Sequence, residues 1–115
     1  MESPDFTKAI EKNLTAAAQL LSRLIEFPST RGQEKDIGLF LKNNVASFAN
    51  EADLVPIPDS LMDDPDYSFR LDDFAYAGAA NLRCRLEGTG GGKSIAFNTH
   101  LDVVPPTPGQ ETPFR

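Results

Sequence analysis

An α/β fold is what the sequence predicts, and three observations predict it. Two stretches in the first half repeat their apolar residues at steps of three and four, a later stretch alternates apolar with polar residues, and a glycine run joins it to a second alternating stretch. The expected order is helix, helix, short strand, hairpin, within 115 residues, the size of one small domain or a piece of one. A hydrophobic content of 40% is enough for a packed core rather than a disordered tail.

The first helix is expected to open at Ser3 and Pro4, a good N-cap and first-turn pair. Phe6, Ile10, Leu14, Ala17, Leu21, Leu24 and Ile25 form its stripe, which should end before Pro28 and pack into a core. Thr30 and Gln33 have capping-box spacing for a second helix, with Ile37, Phe40, Leu41, Val45 and Phe48 as its stripe and Asn50 near its end. Leu54, Val55 and Ile57 then suit a short strand. Because Pro56 and Pro58 lack backbone donors, that strand should lie at an edge or end quickly. Residues 59–73 carry six aspartates without the glycine that turns an EF-hand loop, so a solvated connection is expected there. Residues 81–87 put Leu82, Cys84 and Leu86 on one face and Arg83, Arg85 and Glu87 on the other, the pattern of a half-buried strand. The single cysteine, Cys84, cannot form an internal disulfide, and its apolar row predicts a buried thiol in a reducing compartment.

Charge narrows the partners. Seventeen acidic residues against eleven basic ones give a formal charge of −6, which repels nucleic acid and anionic lipid. The N-terminus lacks the apolar stretch of a secretory signal, and no segment has the roughly 18 apolar residues of a membrane span, so a cytoplasmic location is expected. The proline-rich end "PPTPGQETPFR" has no closing helix or strand, which predicts a piece of a longer chain.

The stretch "EGTGGGKSIAFNTHLDVVPP" admits two readings. A phosphate loop at residues 88–94 would need a glycine five positions before Gly92, and that residue is Glu87, a carboxylate where an anion should sit. It would also need a helix directly after it, whereas Ile95, Phe97, Thr99, Val103 and Val104 favour a strand. The glycines then serve as a hairpin turn. On the strand, Ile95, Phe97, Leu101 and Val103 share one face, while Ser94, Asn98, His100 and Asp102 share the other. A neutral imidazole is a good zinc ligand, and a nearby carboxylate fixes its tautomer and orientation. A hydrogen-bonded structural histidine is the plainer alternative for His100 on spacing alone.

"SIAFNTHLDVVPP" resembles the first metal-binding segment of the zinc-dependent peptidases and deacylases that include acetylornithine deacetylase, succinyl-diaminopimelate desuccinylase, carboxypeptidase G and aminoacylase. "FPSTRGQE", residues 27–34, is similar to that family's link between its first two helices, and "YAGAANLRCRLEGTGGGKS", residues 76–94, to the hairpin leading to its metal strand. The resemblance implies that these residues are the N-terminal part of a zinc-exopeptidase-like catalytic domain. It implies that His100 is a metal ligand and that Asp102 is the active-site aspartate holding a ligand imidazole. The family's reaction is amide hydrolysis, in which two zinc ions share a water, one polarises the carbonyl, and a glutamate acts as general base. N-acyl amino acids or small peptides are the implied substrates, zinc the implied metal with cobalt or manganese as substitutes, and a homodimer the implied assembly through an inserted smaller domain.

The departures are specific. Thr99 stands where a glycine often precedes the histidine. The family's bridging aspartate, its glutamate pair and its remaining ligands all lie downstream of this motif, beyond Arg115. With one histidine, these 115 residues are expected to bind zinc poorly and to hydrolyse nothing alone. A non-catalytic relative that keeps the fold as a binding or scaffold domain is the second reading, and a nucleotide-binding module using residues 88–94 the third.

Overall fold

The computed structural model describes residues 6–67 and 75–115. The chain divides into two compact units, Ser29–Pro105 and a second made of Met1–Pro28 with Pro106–Arg115. The second unit holds α1, Phe6–Ile25, which has the predicted stripe. Ser3 and Pro4, the predicted start, lie outside the described residues. The stripe is not buried: Phe6 is 65% exposed, and Ile10, Leu14, Leu21 and Ile25 are exposed as well. Core packing, expected from periodicity, is therefore not realised on α1, because period fixes which residues share a face and not whether anything covers it.

The other unit is a helix on a small sheet. α2 spans Lys35–Val45, the strands β1 and β2 span Glu51–Pro56 and Ala80–Arg85, and a 3-10 turn covers Asp59–Asp63. The predicted capping box at α2 is not formed. Glu34 is the N-cap residue and makes no side-chain cap, and Thr30 instead accepts a backbone bond from Gln33 N at 2.8 Å, closing a tight turn one step earlier. Gly32 supplies the left-handed φ of 83° at the third position of that turn, as a type II turn demands. The helix also ends sooner than its stripe, so Phe48 lies in a turn beyond it and is exposed.

β1 pairs with β2 antiparallel, with Leu54 opposite Leu82 and Ala52 opposite Cys84 on one face. On the other face Arg83 reaches Asp53 at 3.4 Å and Arg85 reaches Glu51 at 3.2 Å. The ladder continues past both ends through Asn50 N to Arg85 O and Ile57 N to Ala79 O. β1 ends quickly, as its prolines predict, but at Pro56, one residue short of the Ile57 expected within it. α2 covers the apolar face through Ile37, 4% exposed, and Gly38, whose missing Cβ would stand 3.5 Å from Leu54 Cδ2. One helix of 11 residues covers only part of that face: Leu82 is half-buried, while Cys84 is exposed, against the expectation of a buried thiol.

The predicted hairpin is replaced by a different pairing. β2 takes β1 as its partner, and residues 93–106 run on without regular structure. Gly90 and Gly91, with φ of 88° and 76°, redirect the chain between them. Of the aspartate-rich stretch, residues 68–73 lie outside the described residues, and the rest is surface. Beside it the Tyr67 and Tyr76 hydroxyls meet at 2.8 Å with their rings edge to face. That hydrogen bond, more than burial, raises the Tyr76 phenol above its ordinary pKa. Among the described residues, no helix is long and apolar enough to cross a membrane.

Candidate functional site

His100 and Asp102 sit on the extended segment after the glycines. With side chains alternating along extended backbone, positions two apart face the same way, and the two side chains meet. His100 Nδ1 lies 3.1 Å from Asp102 Oδ1 and 3.0 Å from the Asp102 backbone oxygen. Both oxygens are acceptors, so Nδ1 is the nitrogen that carries the proton when the imidazole is neutral, and the lone pair is then on Nε2. The His100 side chain is 82% exposed, which leaves Nε2 accessible.

Ser29 holds this segment in place. Its Oγ donates to Leu101 O at 2.9 Å, and its carbonyl accepts from Val103 N at 2.9 Å, so one residue grips the chain on both sides of Asp102. Ser29 is 1% exposed, the most buried polar side chain described. Burial without a partner would cost about 1–3 kcal/mol, and the Leu101 carbonyl removes that cost. Sequence reasoning assigned Ser29 no role. The signal available for it was its place in the link "FPSTRGQE", where Pro28 excludes helix for the residue before it and leaves a serine at the start of a turn.

The same turn carries Arg31. Arg31, Asp102, Val103, Val104 and Pro105 line a shallow cleft of about 290 Å³. The glycine-rich residues 88–94 stand apart in chemistry as well as in conformation: no helix begins after them, so their amides have no helix N-terminus to join in cradling a phosphate.

The fit to a metal is that of one ligand position. His100 Nε2, with Nδ1 held by Asp102, has the form of a supported zinc-binding imidazole. Among the described residues, no group of three or more His, Cys, Asp or Glu side chains is gathered to complete a coordination sphere. Comparison with models of protein families, with curated proteins and with solved structures finds no match for this chain. The functional reading therefore stands on the residues and their geometry.

Proposed function

We propose that this chain is the N-terminal part of a metal-dependent hydrolase that cleaves the amide bond of N-acyl amino acids or small peptides. The observation that carries the reading is the His100–Asp102 pair, with Asp102 Oδ1 at 3.1 Å from Nδ1 and the opposite ring nitrogen open. In this reading His100 Nε2 holds one zinc ion, Asp102 is a positioning residue that fixes the tautomer, and Ser29 sets the height of the segment between them. Zinc, when bound with its full set of ligands, supplies a Lewis acid for the amide carbonyl and activates water near neutral pH. The reading requires further ligands and a general base besides this pair, which the described residues do not gather around His100.

The test is metal binding resolved at the imidazole. Zinc titrated into the chain, monitored through the nitrogen resonances of the His100 ring, should move Nε2 with an Nδ1-protonated ring, and His100→Ala should lose the response. Asp102→Asn should weaken binding about tenfold, as loss of an outer-shell partner does. A ring protonated at Nε2 in the neutral form, or unchanged zinc binding in His100→Ala, would sink the proposal.

A further inference from the structure

We infer that Arg31 is an anion-reading residue, placed to take the free carboxylate of a small substrate in the cleft beside the His100–Asp102 pair. The inference rests on the hydrolase reading only for the identity of the ligand, an N-acyl amino acid.

The placement of Arg31 is built into the fold. It occupies the second position of the turn closed by Gln33 N to Thr30 O, with Gly32 at φ 83° behind it and Gly32 N bonded to Glu34 Oε1 at 2.9 Å. Two residues earlier, Ser29 ties that turn to Leu101 and Val103. An otherwise flexible side chain thus starts from a fixed point at the rim of the cleft it shares with Asp102.

Its charge is available. Arg23 faces Glu26, Arg83 faces Asp53, and Arg85 faces Glu51 and Glu87. Among the described residues Arg31 has no ion-pair partner, although the chain as a whole carries 17 acidic residues to 11 basic ones. Asp102 shares the cleft, but its Oδ1 is turned to the imidazole. A planar guanidinium matches a carboxylate with two parallel hydrogen bonds, and Val103, Val104 and Pro105 offer an apolar wall for the carbon chain behind it. A volume of about 290 Å³ suits a ligand no larger than a small acyl amino acid.

The experiment compares N-acetylglycine with N-acetylglycinamide, which has the same shape and no carboxylate charge, by chemical-shift titration of the chain. N-acetylglycine should move the Arg31 side-chain resonance and the amides of Asp102, Val103 and Val104, and the neutral analogue should bind about fivefold or more weakly. Arg31→Gln should abolish the difference and Arg31→Lys restore part of it, with the amide spectrum of each variant confirming an intact fold. Equal responses to the two ligands, no response to either, or an undiminished preference in Arg31→Gln overturns the assignment. His100→Ala separates the two proposals: it should lose the zinc response and keep the carboxylate preference. A chain that prefers the carboxylate while its neutral His100 ring carries the proton on Nε2 retains Arg31 as an anion site and refutes the hydrolase.

Discussion

Two stretches of this chain alternate apolar and polar residues, and only one of them is a strand. In β2 the alternation is answered across the sheet: Leu82 meets Leu54 while Arg83 and Arg85 meet Asp53 and Glu51. In residues 94–104 the same alternation has no strand beside it, and of its apolar face only Leu101 is half-buried, with Ile95 and Val103 exposed and Phe97 at 93%. Alternation sets the faces of an extended chain, whereas a hydrogen-bonded neighbour and a covered face are what make it a strand. The candidate site lies on the stretch that lacks both, and its order comes from Ser29 instead.

This contrast can be broken from either side. Ile37→Ala removes the most buried apolar side chain from between α2 and the sheet and should destabilise the unit by about 2–4 kcal/mol, read by urea denaturation. If β1 and β2 kept their amide protection in that variant, their order would not depend on the helix. Ser29→Ala should cost less, about 1–2 kcal/mol, because it leaves the Leu101 carbonyl without its buried partner. Its mark should be local: hydrogen exchange at the Val103 amide accelerates while the β2 amides stay protected. Equal acceleration in both would show the two regions to be one cooperative unit. Gly38→Ala should act in the opposite direction and be the smallest, stabilising by about 0.5–1 kcal/mol, since alanine lowers the entropy cost of a helix interior. Its Cβ would meet Leu54 Cδ2 at 3.5 Å, an ordinary contact. A loss of stability there would mean that α2 and β1 pack more tightly than that distance allows.

The helices were legible because their signals are local. Phe6 to Ile25 and Ile37 to Val45 recur at helical steps, and Pro28 separates them, whatever else the chain does. That β1 would be short was legible for the same reason, from Pro56 and Pro58, although its end was expected past Ile57. The partner of β2 was not. Glycines after a strand favour a hairpin with the next extended segment, but the opposite charges of Glu51 and Asp53 against Arg85 and Arg83 belong to a pairing across about thirty intervening positions that no short window sees. Burial was equally out of reach: the α1 stripe and Cys84 read as core, and their exposure depends on how much surface the rest of the chain provides. At the candidate site, the His100–Asp102 pair was legible from a spacing of two on extended backbone. Ser29 and Arg31 came from a turn about seventy positions earlier, and only three-dimensional proximity reveals them.

The bond from Ser29 to Leu101 spans 72 positions. Closing a flexible loop of that length costs about 4 kcal/mol of chain entropy, several times what one hydrogen bond returns. Ser29 therefore cannot draw the segment in by itself. The α2 helix and the β1–β2 ladder must first shorten the path between the two ends, and the grip on Asp102 closes afterwards. In the order of assembly the paired strands come early and the candidate site last, and on unfolding the site is the first feature to be surrendered.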